Sequence, residues 1–258
     1  MLGEATALLS DPDGAILELL QVSRRFGALV VADRIDLALQ PGETLGIIGP
    51  NGAGKSTLFG LISGELQPDS GQILLAGRDI VGLPAFVRCR LGIARARQIP
   101  RPFAAMTVFE NLLVGACFGD GRNGDAAEDR CLRLLRATGL LRRADHPAGA
   151  LTLLERKRLE LARALATGPR VLLLDEVAGG LTEREFTELA ESIQAVREPG
   201  LAIVWVEHVL HALRSWITRL LVLDFGAKVA DGDPERVFAD PRVRELYLGP
   251  DTGEPLHA

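Results

Sequence analysis

Four short apolar runs punctuate the chain: Thr44–Ile48, Val171–Leu174, Leu201–Val206 and Leu220–Leu223. Continuous runs of this length suit strands buried on both faces, as in a parallel sheet covered by helices. Between them Phe186, Leu189, Ala190, Ile193 and Val196 recur at helical spacing, and Thr182 with Glu185 predicts a capping box at that helix's start. Alternating strands and helices of this kind indicate an α/β fold. The N-terminal region reads differently. Leu17 and Leu19, then Ile35, Leu37 and Leu39, alternate with polar residues, which predicts half-buried antiparallel strands. Residues 80–165 predict a helix-rich section, with an apolar stripe of Ala127, Cys131, Leu134 and Leu135 and a helix end at Gly139. Gly119–Gly124 reads as a loop and Gly249–Ala258 as a frayed tail. No internal repeat is visible.

Composition narrows the class without naming a function. The chain has 258 residues, 47% hydrophobic and 24% charged, which is too apolar for disorder. Its 29 Lys+Arg against 34 Asp+Glu give a formal charge of −5, whereas a dedicated nucleic-acid binder would carry basic excess. No apolar run reaches the length of a membrane helix. The first fifteen residues carry Glu4, Asp11 and Asp13 but no Lys or Arg, so the basic region of a signal peptide is not expected. Cys89, Cys117 and Cys131 stand in no metal-ligand spacing, and a reducing, cytosolic compartment is the economical expectation.

The chemistry enters with Gly49-Pro-Asn-Gly-Ala-Gly-Lys-Ser-Thr57, which contains G-x-x-x-x-G-K-[ST] between an apolar strand and a helical run. That is the context a P-loop requires. Glycines such as Gly49, Gly52 and Gly54, with Asn51, let backbone N–H groups turn around phosphate oxygens, and the helix N-terminus adds partial positive charge. Lys55 is expected to reach the β- and γ-phosphates and Ser56 to bind Mg²⁺, with Thr57 beside it. A second element, Arg170-Val-Leu-Leu-Leu-Asp-Glu176, is a buried strand ending in two carboxylates. Such a strand end is costly unless the carboxylates bind something. Asp175 fits a Mg²⁺ partner at the carboxyl end of a parallel strand. Glu176 is then left to orient or deprotonate an attacking water. Taken alone, the acidic pair could equally cap the next helix.

No N-K-x-D for guanine recognition is present. Over nearly its whole length the chain resembles the ATP-binding cassette (ABC) ATPases. The resemblance implies their P-loop fold: a mostly parallel sheet core, an N-terminal antiparallel β part and a helical part. The expected division is one unit over 1–258, with core at 16–80 and 166–248, a helical subdomain at 81–165 and a tail at 249–258. Phe26, 23 residues before Gly49, matches the aromatic that stacks on adenine. Gln98 matches the Q-loop glutamine, which meets the metal and the water. Leu181-Thr182 falls at the D-loop, and His208 at the switch histidine that contacts the γ-phosphate. Singly, Phe26 also fits a core position and His208 a structural one. Several stretches look like the ATPase subunits of branched-chain amino acid importers: Leu91–Arg95, Met106–Leu112, Lys157–Thr167, Phe225–Gly232 and Val243–Gly249. Importers of urea, short amides and other amino acids use similar subunits.

The departures are informative. The ABC signature, L-S-G-G-Q or L-S-Y-G-E/Q, here reads Leu151-Thr-Leu-Leu-Glu155. Thr152 keeps the hydroxyl, Leu154 replaces the glycine that lets backbone approach the opposite subunit's phosphate, and Glu155 adds negative charge facing that phosphate. Thr152-x-x-Glu155 is also a good capping box. Val177 stands where the family usually has Pro. In the family each ATP lies between one subunit's P-loop and the other's signature, so the resemblance implies a dimer. The altered signature favours a heterodimer with a related ATPase subunit. Transmembrane permease subunits and, indirectly, a periplasmic solute-binding protein are the further implied partners, placing the chain on the inner face of the membrane. The competing expectation is an ATP-dependent switch or assembly subunit of low turnover. Arg88, Arg90, Arg95, Arg97 and Arg101 lie in a stretch without acids, read either as a solvated basic face or as a docking face for membrane subunits. Asp224-Phe-Gly226 reads as a hairpin turn rather than a kinase motif.

Overall fold

The computed structural model describes residues 14–207 and 213–248. Its centre is a six-stranded sheet whose strands, in spatial order, are β10 (Ala227–Gly232), β9 (Arg219–Asp224), β3 (Thr44–Ile48), β8 (Ala202–Val206), β7 (Val171–Asp175) and β6 (Ile93–Ala96). All neighbours are parallel except β10, which returns antiparallel to β9. The continuous apolar runs have a simple cause. Val171 and Leu173, with Ala202, Val204 and Val206, face one core, while Leu172 and Leu174, with Ile203 and Trp205, face the other. Both faces are covered, so neither set can be polar.

One face is covered by α1 (Lys55–Ser63) and by a four-stranded antiparallel sheet in the order β2 (Leu29–Leu39), β1 (Leu17–Phe26), β4 (Ser70–Leu75) and β5 (Arg78–Asp79). Leu17 opposite Leu39 and Leu19 opposite Leu37 set the register of the first pair, matching the alternation in the sequence. The other face carries α3 (Val108–Phe118), α4 (Asp125–Ala137), α5 (Leu153–Ala166) and α6 (Glu183–Ala195). Ala127, Cys131, Leu134 and Leu135 are all buried on α4, and Gly139 follows its end with φ 70°. The capping box of Thr182 and Glu185 starts α6. The helical stretch differs from its expected form in one respect. It contains α2 (Ala85–Arg90) but also β6, which pairs with β7 as the edge of the main sheet. Ile93, Ala94 and Ala96 are small or apolar enough to be buried there, whereas the four-residue run is too short and too broken by arginine to announce a strand. Two short helices, α7 (Pro234–Ala239) and α8 (Pro241–Leu248), close the described chain. Phe225 and Gly226 form the tight turn between β9 and β10, with φ 42° and 77°.

Candidate active site

The P-loop lies between β3 and α1, at the carboxyl ends of the parallel strands, where open α/β sheets bind ligands. Backbone approach is tight: a Cβ on Gly49 would stand 2.2 Å from the Leu223 carbonyl oxygen, so only glycine fits. Lys55 is buried, and its Nζ donates to the carbonyls of Gly49 at 2.6 Å and Pro50 at 2.9 Å. The ammonium is thus folded into the loop it serves. Burial pulls it below the ordinary lysine range, while the carboxylates of Glu176 and Asp175 act in the opposite direction. This coupling reflects the proximity of the loop to the acidic strand end. Asn51, Gly52 and Ser56 are exposed at the loop surface and Thr57 is half-buried.

Asp175 ends β7, and Glu176 follows with φ 46°, a left-handed conformation that non-glycine residues hold only when their surroundings impose it. The surroundings do so. Glu176 N donates to Val206 O at 3.0 Å, Gly179 N donates to Glu176 O at 3.1 Å, and Ala178 N donates to Glu207 Oε1 at 2.8 Å. Gln98 reaches the same place: its Nε2 donates to Glu176 Oε2 at 2.6 Å. Its backbone carbonyl accepts from Lys157 Nζ at 3.2 Å, which fixes the loop to α5. Lys157 and Glu207 are both buried charged residues that the sequence reading did not single out. Glu207 was detectable by the same signal as Asp175, an acid directly after a buried apolar strand. Burial holds its carboxyl above the ordinary glutamate range, with the Ala178 and Trp205 hydrogen bonds opposing and nearby Glu176 adding to the rise.

Phe26 is 47% exposed at the end of β1, not a core residue, and the Arg24 guanidinium lies 5.0 Å from its ring centroid. The hairpin that carries it continues into Val31, whose carbonyl oxygen would meet a Cβ on Gly54 at 2.3 Å, so this sheet borders the P-loop. His208 lies outside the described residues, although β8 and Glu207 immediately before it lie beside Glu176.

Among the described residues the Thr152 side chain hydrogen-bonds to Glu155 rather than to these groups. It caps α5: its N–H donates to Glu155 Oε2 at 2.9 Å, and its hydroxyl accepts from Glu155 N at 3.3 Å. Glu155 Oε1 accepts from Arg143 Nε at 2.9 Å. The Glu155 carboxyl is held below the ordinary glutamate range, first by the Thr152 backbone bond. Glu155 thus forms the capping box expected from the sequence, and Arg143 engages its other oxygen. Leu153 is 51% exposed at the start of the helix.

The basic stretch also resolves differently from a single docking face. Arg88 is fully buried, Arg95 binds Asp175 and Glu65, and Arg97 Nη2 donates to Glu65 Oε1 at 2.7 Å. Side chains of this length cross inside the fold to carbonyls and acids far away in sequence, and linear charge counting does not register those partners. Arg90, Arg97 and Arg101 remain exposed.

Mg²⁺ keeps several waters and takes oxygen ligands from one or two carboxylates together with phosphates. The donor set fits that habit: the Ser56 hydroxyl, the Asp175 carboxylate and the Gln98 amide oxygen are all hard oxygens. Among the described residues no cluster of three or more His, Cys, Asp or Glu stands together.

A sequence model of the ABC transporter family matches residues 32–179, and one of the branched-chain amino acid ATP-binding cassette transporter matches 227–249. The high-affinity branched-chain amino acid transport ATP-binding protein LivG of Escherichia coli K12 is 37% identical over 240 residues, covering 87% of this chain and 94% of LivG. Its Pseudomonas aeruginosa counterpart BraF is 35% identical over 249 residues, covering 91% and 98%. The ADP conformation of MJ1267, an ATP-binding cassette of an ABC transporter, superposes with a TM-score of 0.82 at 29% identity, covering 92% of this chain and 99% of that one.

Proposed function

The chain belongs to the ATP-binding subunits of ABC transporters and is an ATPase of that family, and we propose that it powers import of branched-chain or related amino acids. The observation that carries the catalytic part is the convergence of Lys55, Asp175, Glu176 and Gln98, with Gln98 bonded directly to Glu176. The solute class rests on the similarity to LivG and BraF and on the match at residues 227–249.

In this reading the P-loop amides and Lys55 bind the ATP phosphates, and Phe26 offers its exposed ring to the adenine. Lys55 leaves its two carbonyl partners for phosphate oxygen, a stronger acceptor. Ser56, Asp175 and Gln98 would hold Mg²⁺, which would supply charge neutralisation to the phosphates. Glu176 orients the attacking water and draws its proton, and Gln98 fixes the Glu176 carboxylate through Oε2. His208, in the sequence directly after Glu207, is assigned to the γ-phosphate. Catalysis is positioning and electrostatics, as phosphoryl transfer demands.

The active assembly is a dimer in which each nucleotide meets the partner's signature segment. The Thr152 hydroxyl and backbone N–H are engaged by Glu155, and Leu154 stands where a glycine would admit close backbone approach. Both features favour a heterodimer with a related subunit whose signature is intact. No helix among the described residues is long and apolar enough to cross a membrane. In this reading, which rests on the similarity to transport ATP-binding proteins, the chain works from the cytoplasmic face, docked on permease subunits that receive solute from a periplasmic binding protein. Exposed Phe86, Ile99, Phe103 and Phe118 with Arg101 supply that contact surface.

The test is uptake of labelled leucine by proteoliposomes containing the complete transporter with ATP inside its nucleotide-accessible compartment. The wild-type chain should drive uptake and Glu176→Gln should not. ATP hydrolysis without leucine uptake would reject the solute class, and uptake undiminished by Glu176→Gln would reject the catalytic assignment.

A further inference from the structure

Arg95 is the residue in the basic stretch whose partners are most telling. It stands on β6 opposite Leu173, two residues before Asp175 on the same face of β7, and its guanidinium reaches along that face. Nη2 donates to Asp175 Oδ2, and Nη1 donates to Glu65 Oε2 at 2.9 Å. The other Glu65 oxygen accepts from Arg97, the residue preceding Gln98. A chain of ion pairs thus runs from Asp175 through Arg95 and Glu65 to the backbone that carries Gln98. Glu65 itself follows directly on Gly64, the C-cap of α1, so the network also reaches the far end of the helix that begins at the P-loop.

Both side chains of the central pair are nearly buried, at 12% and 11% exposure, and Arg95 Nε has no partner. A buried ion pair with an unsatisfied donor is a poor way to add stability. It is a good way to orient a carboxylate. Arginine's planar fork fixes direction as well as charge, and metal-ligating carboxylates are themselves held by hydrogen-bonding neighbours. Among the described residues only Oδ2 of Asp175 is engaged, which leaves Oδ1 for a ligand. We propose that Arg95 is a positioning residue for Asp175, fixing its carboxylate for the Mg²⁺ that arrives with ATP and tying that carboxylate to the Gln98 loop. The inference rests on the reading of Asp175 as a Mg²⁺ partner.

The experiment measures affinity for a fluorescent ATP analogue, with Mg²⁺ and with EDTA, on the full chain. The ratio of the two affinities reads the gain due to Mg²⁺. In Arg95→Met the gain should fall about tenfold, in line with the loss of an outer-shell partner, with the EDTA affinity unchanged. Arg95→Lys, which keeps the charge but reaches one acceptor, should fall less. Asp175→Asn separates the two levels: if it retains the full gain, the metal reading of Asp175 fails. If it loses the gain while a folded Arg95→Met keeps or increases it, the positioning role of Arg95 is overturned. Should Arg95→Met not fold, Arg95→Lys decides, because an undiminished gain in that variant contradicts the proposal.

Discussion

Replacing Arg88 with methionine removes the group that closes the C-terminal end of α1, the helix that begins at the P-loop. Arg88 is 0% exposed; Nη1 donates to the carbonyls of Leu61 at 2.6 Å and Ile62 at 3.0 Å, and Nε donates to Leu83 O at 3.0 Å. The Leu61 and Ile62 carbonyls are orphans of the α1 end, where a cation suits the helix dipole, while the Leu83 carbonyl lies in the loop before α2. Gly64 is fitted to it, since a Cβ there would stand 2.8 Å from Arg88 Nε. Methionine keeps most of the apolar stem and loses all three bonds. Each charge-assisted bond contributes about 1.5–3 kcal/mol net. Against this, the buried guanidinium carries its own desolvation cost, visible as a lowered pKa, and Nη2 has no partner. The balance is a loss of roughly 2–4 kcal/mol. For a chain of this size that lowers Tm by roughly 5–15 °C. Circular dichroism melts and urea titration measure it, with a lower midpoint at unchanged slope. A Tm within about 2 °C of wild type would refute the reasoning, showing that the desolvation cost of the buried guanidinium cancels its three bonds.

Three other outcomes follow from the same geometry. Burial raises the folded pKa of Glu207 above its unfolded value, so the folded state binds the extra proton and stability falls as pH rises through the folded value. Glu207→Gln should therefore gain Tm relative to wild type more at about pH 8 than at about pH 5; a pH-independent difference would count against it. Leu154→Gly should raise phosphate release by preparations of this chain alone severalfold, despite a helix-propensity cost of about 1 kcal/mol, and unchanged turnover would remove Leu154 as the obstacle. Burial pushes the Cys131 thiol up to about 11, so iodoacetamide should label it slowly in the folded protein and rapidly after denaturation.

The main sheet was legible in the sequence because strands buried on both faces leave no polar positions to confuse the pattern. The P-loop, the Asp175–Glu176 pair and the boxes Thr152–Glu155 and Thr182–Glu185 were legible because local backbone chemistry dictates them. What escaped was set by distant partners. β6 is a short run interrupted by Arg95, and only pairing with β7 makes it a strand. The arginine stretch looked uniform along the chain, yet Arg88 points into a helix end, Arg95 to a carboxylate 80 residues away and Arg97 to Glu65. Lys157 and Glu207 likewise acquire their positioning contacts only when α5, the Gln98 loop and β8 meet. Phe26, which alone suited a core, proved exposed at a hairpin end.

The central claim is that Glu176, held by Gln98 and by a constrained backbone, performs the water-activating step of ATP hydrolysis. It is tested most directly by measuring ATP binding and phosphate release by Glu176→Gln in the complete transporter. Binding should stay at the wild-type level while phosphate release falls about a hundredfold or more. Release at the wild-type rate would contradict the account.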